Sequence, residues 1–406
     1  MAKKKNKKKK LIDKQFSLKE LIPIIVISIL IGAIVGGVIT YNKENISIIK
    51  VPKELEEFVE VYENISENYY GKVKKNELVN SAISGMISSL DDPYSVFLDK
   101  DNTSKFNETV DGEYVGIGAT VSYSDEEAKV LEVFDSSPAK KAGVKKDDVI
   151  IKVDGKDITK KNLSEITNMI KGKKNTIVSL TVKRKNTEKL IKIKRGDVET
   201  PIVTSKVINN ENHKVGYIYI SSFSSNSYEQ FKSNLSKLEN KKIESLIIDV
   251  RNNPGGHLNQ VTDIIELFTQ RGKVLYEIEQ KGKVQKIYDM TNEMRKYKIA
   301  ILTNKSSASA SEVLASSLKN NNQALLVGKK TYGKGTVQKA YQLSNGTTVK
   351  YTTQKWLTSK GKWLNKKGLP PDYEVDLGED YASNPTDEND AQLNKAISVL
   401  TQKEEK

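Results

Sequence analysis

The sequence predicts an α/β multidomain protein. A small barrel of strands with two helices is followed by a mixed α/β domain, with helical segments at both ends and one transmembrane helix ahead of them. Three observations carry this prediction. Leu21 to Asn42 contains no charged side chain, the apolar period turns from helical to strand-like at Tyr114, and strands alternate with helices from Gly216 onward.

The first forty residues set the topology. The 406-residue chain carries a net charge of +14, and seven of its lysines lie within Met1 to Lys10. Such an excess points to nucleic acid or to an anionic membrane surface. Its place directly before an uncharged run favours the membrane, and no nucleic-acid partner is expected. As a helix, the 22 residues Leu21 to Asn42 reach about 33 Å, enough for a hydrocarbon core of about 30 Å. The run is longer than a signal-peptide h-region and no A-x-A site follows. Residues 21–42 therefore read as an uncleaved signal-anchor behind a basic cytoplasmic tail at 1–20, with everything past Tyr41 extracytoplasmic.

The absence of cysteine removes disulfides, thiol catalysis and Cys-built zinc sites. His213 and His257 are the two histidines, and no H-E-x-x-H occurs, so neither a metal nor a cofactor is expected.

Residues 43–108 read as a helical region. Leu55, Phe58, Val59, Tyr62 and Ile65 recur at helical spacing, as do Leu78, Ile83, Met86, Ile87 and Leu90, until Asp91-Asp92-Pro93 ends the second helix. Two such helices make a poor core alone and are expected to pack on another domain or on a second copy. Strands follow at Tyr114 to Val121 and Ala128 to Phe134, a short helix at "SPAKKAG", a strand at Asp148 to Val153 and a turn at Asp154-Gly155. A helix at Leu163 to Ile170 and strands at Thr176 to Lys183 and Lys189 to Lys194 complete the barrel by Gly196. The next domain, 197–376, is read as strands at Gly216 to Ile220, Ile243 to Val250, Val274 to Ile278, Ile299 to Thr303, Ala324 to Val327 and Thr347 to Thr353. Helices fall at Ser227 to Leu238, at Leu258 to Phe268 and after the serines of "TNKSSASASE". Residues 377–406 are a polar linker and a helix at "AQLNKAISVLTQ".

The serine cluster has a structural explanation: Ser309-Ala310-Ser311-Glu312 is an S-x-x-E capping box. A chemical role needs a base, because a serine hydroxyl is a weak nucleophile until a neighbour takes its proton. His257 follows "NNPGG" and no Asp-supported triad order is evident. Lys334 stands between Gly333 and Gly335, which allow close backbone approach. The same stretch, Gly328 to Lys334, reads G-x-x-x-x-G-K like a phosphate-binding loop, but Gly335 stands where a magnesium-ligating Ser or Thr belongs.

"SASASE", "TYGKGTVQ", "IIDVRNNPGG", "DDPYSVFL" and "KGLPPDYEV", in order across nearly all of the chain past Lys53, resemble the C-terminal processing peptidases, or tail-specific proteases. The resemblance implies a serine protease with Ser309 as nucleophile, Lys334 as general base and Gln338 orienting the lysine. The Ala310 N–H and a glycine N–H, Gly256 in preference to Gly255, would form the oxyanion hole. The mixed α/β domain becomes a protease core, and the barrel at 109–196 resembles an inserted PDZ domain. There "YVGIGA" places Val115, Gly116, Ile117, Gly118 and Ala119 around the C-terminal carboxylate of a bound peptide, with Lys171 standing where relatives have an arginine. Expected partners are protein substrates held by their C-termini, and a second copy as a homodimer. The alternative from another class is a catalytically silent PDZ scaffold.

Overall fold

The computed structural model describes residues 52–124 and 126–402. The basic tail and the expected span at 21–42 lie outside them, and among the described residues no helix is long and apolar enough to cross a membrane. The chain divides into two compact units, residues 1–81 and 82–406. In its described part the first holds helix α1 (Glu56–Asn68) and the start of α2 (Lys75–Ser88). Both carry the apolar repeat, yet neither buries a residue, and Phe58, Val61, Ile65 and Met86 stand exposed.

The second unit opens with β1 (Val96–Leu98) and helix α3 (Lys100–Asp111). Asp99 caps α3 by accepting from the Asn102 N–H, and Gly112 closes it at φ 70°. The barrel comprises β2 (Glu113–Gly116), β3 (Ala119–Ser124), β4 (Glu127–Val133), α4 (Pro138–Ala142), β5 (Val149–Val153) and β6 (Lys156–Asp157). Helix α5 (Leu163–Ile170), β7 (Ile177–Arg184), β8 (Thr187–Lys194) and β9 (Gly196–Glu199) complete it. The strand expected at Tyr114 to Val121 is two strands. Gly118, at φ 77°, turns the chain, so β2 pairs with β9 while β3 pairs with β4. Alternate residues Val178, Leu180 and Val182 of β7 point inward with Ile191 and Ile193 of β8 and meet Ile166 and Ile170 of α5.

The remainder contains β10 (Val203–Asn210), β11 (His213–Ile220), α6 (Ser227–Asn240), β12 (Ser245–Asp249), α7 (Leu258–Glu266), β13 (Val274–Gln280) and β14 (Lys283–Tyr288). Then come β15 (Lys298–Thr303), α8 (Ala310–Asn322), β16 (Leu325–Gly328), β17 (Thr336–Gln342), β18 (Thr348–Thr358) and β19 (Tyr373–Glu374). Helices α9 (Glu379–Ser383) and α10 (Ala391–Thr401) end the described chain. One mixed sheet was expected here, and the structure has two. A six-stranded sheet runs β10-β11-β12-β15-β16-β19, parallel from β11 onward. A separate antiparallel sheet runs β1-β18-β13-β14, with β17 also on β18.

All five residues of β12 are buried, Ser245 and Asp249 included, around the apolar centre Leu246-Ile247-Ile248. Leu246 and Ile248 face the core that holds Phe231, Ile264 and Leu314 of helices α6, α7 and α8. Ile247 faces the opposite core, with Leu393, Ala396 and Leu400 of α10. The helices thus cover both faces, and the loops after β12 and β15 are left at the carboxyl ends of parallel strands, where α/β proteins place ligands.

Candidate active site

Ser309 lies in the loop after β15, immediately before α8, half-buried at φ 54° and ψ −114°. A positive φ in a non-glycine residue stores backbone strain of about 1–3 kcal/mol, and such strain concentrates at functional sites. Several contacts hold it. Ala308 N–H donates to the Asn253 carbonyl at 3.0 Å, and the Ser311 hydroxyl donates to the same oxygen at 2.9 Å. The Ser307 hydroxyl donates to Val250 O at 2.8 Å. Ser307 and Ser311 are therefore buried stitches between the β12 and β15 loops, whereas Ser309 is half-buried.

Behind Ser309 sits Glu312, with no exposed surface. One carboxylate oxygen accepts from Ser309 N–H and from Lys334 N–H, both at 2.9 Å. The other accepts from the Thr331 hydroxyl at 2.6 Å and from Gly333 N–H at 2.8 Å. The glutamate of the capping box thus ties the Ser309 backbone to that of Lys334. This double duty was invisible in the S-x-x-E spacing, because the second set of partners comes from 19–22 residues downstream.

Lys334 is fixed at both ends of its peptide unit, since Trp356 Nε1–H donates to its carbonyl at 2.7 Å. Gly333, at φ 86°, has no room for a Cβ, which would meet Gly368 N at 2.7 Å. Among the described residues the Lys334 ammonium makes no hydrogen bond and no ion pair; it lies 4.8 Å from the centre of the Tyr94 ring. Burial lowers its pKa to about 8, helped by the charge of Lys350, with Asp92 and Glu312 opposing. Tyr94 itself stays a neutral phenol, pushed up to about 12 by burial and by its hydrogen bond with Tyr332.

The turn "NNPGG" faces Ser309. A Cβ on Gly255 would sit 2.9 Å from Ser309 Cβ and 3.1 Å from Ala310 N. Gly255 N–H is already taken by the Asn253 side chain at 2.8 Å. Neither Gly256 N–H nor Ala310 N–H has an acceptor among the described residues. Two unpaired amides beside a helix N-terminus are the donors that a developing oxyanion needs.

Gln338 lies on β17 and is not hydrogen-bonded to Lys334; its amide N–H groups go to Thr336 Oγ1 at 2.9 Å and Thr352 Oγ1 at 3.0 Å. Neither histidine joins the serine. His257 Nε2 contacts Val110 O at 3.1 Å, and His213 Nε2 contacts Ser245 Oγ at 2.9 Å. The phosphate-loop reading fails on topology, because Lys334 leads into strand β17 where that motif requires a helix. Asp92 was read as part of a helix stop, and Asp92 and Tyr94 both as part of the DDPYSVFL motif, with no role at the site. Their nearness to Lys334 carries no signal in local spacing.

In the barrel, Tyr114, Gly116, Ile117 and Ala119 line one side of a groove of about 150 Å³, opposite Leu163, Thr167, Ile170 and Lys171. Val115 pairs with Asp197, and Gly118 makes the turn between β2 and β3, with its N–H against the Tyr114 hydroxyl. Lys171 Nζ is 3.2 Å from Glu108 Oε2 on α3.

Comparison with known proteins follows the same division. The model of peptidase family S41 matches residues 214–375, that of the PDZ domain 115–194, and that of the N-terminal domain of the activating protease CtpB 37–102. The carboxy-terminal processing protease CtpB of Bacillus subtilis is 38% identical over 336 residues, 82% of this chain and 70% of that protein. A CtpA-like serine protease of Staphylococcus aureus is 38% identical over 362 residues, 86% and 72% of the two chains. An S41 protease structure from Bacteroides fragilis shares the fold, with a TM-score of 0.53 at 18% identity over 78% of this chain and 90% of that one.

Proposed function

Because the chain belongs to peptidase family S41, the C-terminal processing peptidases, and is a serine-type peptidase with a PDZ domain, we propose that it is an endopeptidase working through a Ser309–Lys334 dyad. It takes proteins by their C-terminal tails, on the extracytoplasmic side of the membrane that residues 21–42 anchor it to. The observation that carries the dyad is the half-buried, unpartnered ammonium of Lys334, held on the same carboxylate as the Ser309 N–H.

Lys334, as the free amine, takes the Ser309 proton while the hydroxyl oxygen attacks the substrate carbonyl carbon. The negative charge that develops on the carbonyl oxygen is met by Gly256 N–H and Ala310 N–H. The lysine then gives its proton to the departing amine, and water, deprotonated by Lys334, hydrolyses the acyl-enzyme. With its pKa at about 8, Lys334 is free amine in about a tenth of molecules at pH 7, roughly 300-fold more than an unperturbed lysine. The sign follows: the base must be deprotonated, so kcat/KM rises about ten-fold per pH unit below about 8 and levels off above it. A profile flat from pH 6 to 9 would remove Lys334 as the base.

Tail capture is supported by the groove and its backbone loop, where a peptide would add as a strand beside β3. Lys171 is held by Glu108 in a solvent-exposed pair, which is worth little, so a peptide carboxylate can take it over. Amidating the C-terminus of an unstructured peptide substrate should lower kcat/KM about ten-fold or more with the full-length protein. Equal cleavage of acid and amide would argue against carboxylate capture, and no cleavage of either would favour a silent scaffold. The exposed apolar faces of α1 and α2 support homodimerisation.

A further inference from the structure

The DDPYS segment ahead of β1 adds a second support to the general base. Asp92 accepts three hydrogen bonds: from the Ser95 hydroxyl at 2.6 Å, the Thr352 hydroxyl at 2.6 Å and Tyr94 N–H at 3.2 Å. Ser95 Oγ in turn accepts from Thr352 N–H at 3.1 Å, which fastens the segment to β18. Burial would raise the Asp92 pKa, but these bonds and the Lys334 charge outweigh it and hold it below the ordinary carboxylate value.

We propose that Asp92 is a positioning residue of the active site: through the Thr352 hydroxyl it fixes which way round the Gln338 amide lies, leaving the Gln338 carbonyl oxygen as the free acceptor for the Lys334 ammonium. The argument is one of hydrogen-bond polarity. An ionised carboxylate only accepts, so the single Thr352 hydroxyl hydrogen must go to Asp92. The Thr352 oxygen can then only accept from its other neighbour, and it takes one amide hydrogen of Gln338 at 3.0 Å. Thr336 Oγ1 takes the second at 2.9 Å. Both hydrogens are spent, and a flipped amide would set its carbonyl against a hydroxyl with no hydrogen to give. Asp92 thereby joins the site across the 260 residues that separate it from Thr352 in sequence.

This inference rests on the dyad reading, and full-length protein with a fluorescence-quenched unstructured peptide separates the two. Thr352→Val removes the relay and should lower kcat about ten-fold with KM unchanged, while Thr352→Ser should restore the wild-type rate. Asp92→Asn leaves β18 unaltered and should act alike, because its amide can donate to Thr352 and release the hydroxyl hydrogen toward Gln338. In a Gln338→Ala background neither change should slow the enzyme further, since both act through that side chain. Wild-type kcat in Thr352→Val would overturn the relay, and so would a full ten-fold further loss on top of Gln338→Ala. Wild-type cleavage by Lys334→Ala would instead overturn the dyad itself.

Discussion

Ser309→Ala, Lys334→Ala and Lys334→Arg each lower kcat by about a thousand-fold or more, and the Ser309→Ala, Lys334→Ala double variant is no slower than either alone. On the proposed dyad the first two remove the nucleophile and its base, and groups that act as one unit lose their contribution together. Lys334→Arg is the sharper variant. It keeps the positive charge beside Tyr94, but a guanidinium with a pKa above about 12 does not release its proton to become a base at neutral pH. Lys334→Met, which replaces an ammonium lacking a hydrogen-bond partner by an apolar chain of similar length, should abolish cleavage without lowering Tm. Turnover by single-turnover kinetics, with Tm by calorimetry, checks both. A Lys334→Arg enzyme at wild-type rate would mean the lysine serves only as a charge.

Glu312→Gln lowers Tm by about 5 °C and kcat by about ten-fold, and Glu312→Ala costs about 3–5 kcal/mol of stability. Each carboxylate oxygen accepts two donors. A glutamine of the same shape must turn its NH2 toward one of those pairs, so donor faces donor whichever way it is placed. The alanine leaves all four donors unsatisfied in a site with no exposed surface at residue 312. Because the carboxylate holds Ser309 and Lys334 by their backbones, the loss appears in kcat more than in KM. A Glu312→Gln protein with wild-type Tm and kcat would show that the glutamate is only a helix cap.

Much of the fold was legible where burial is one-sided or complete. The α5 helix, Leu163–Ile170, fell where its apolar period and the polar residue before it put it, and the strand within Ile243 to Val250 was marked by its apolar centre Leu246-Ile247-Ile248. Two of the strands that escaped have little apolar pattern to read: β14 has no buried residue, and β17, which carries Gln338, is mostly exposed. Their pairing is set by β13 and β18, which lie far off in sequence, so the second sheet could not be inferred from local spacing. In the candidate site, Ser309 and Lys334 were singled out by motif. The carboxylate that joins their backbones had been read as a cap, and Asp92 and Tyr94, which lie within DDPYSVFL, and Thr352 were given no role at the site because nothing near each of them in sequence reveals its partner. Residue chemistry is readable locally; convergence of distant chain segments is a property of the fold.

The hydrogen bond between Asp92 and Thr352 also orders events in time. In a chain made N-terminus first, Asp92 and Tyr94 leave the ribosome well before their partners exist. At synthesis rates of about 5–20 residues per second, the 260 residues between Asp92 and Thr352 take roughly 13–52 s. The loop at 364–368 that packs against Gly333 arrives later still. Once residue 199 has been made every strand of the barrel is present, while Lys334, strand β18 and the loop at 364–368 are still to come. On the proposed Ser309–Lys334 dyad, proteolytic competence is therefore among the last things the growing chain acquires, which keeps an unfinished protease from cutting itself or its neighbours.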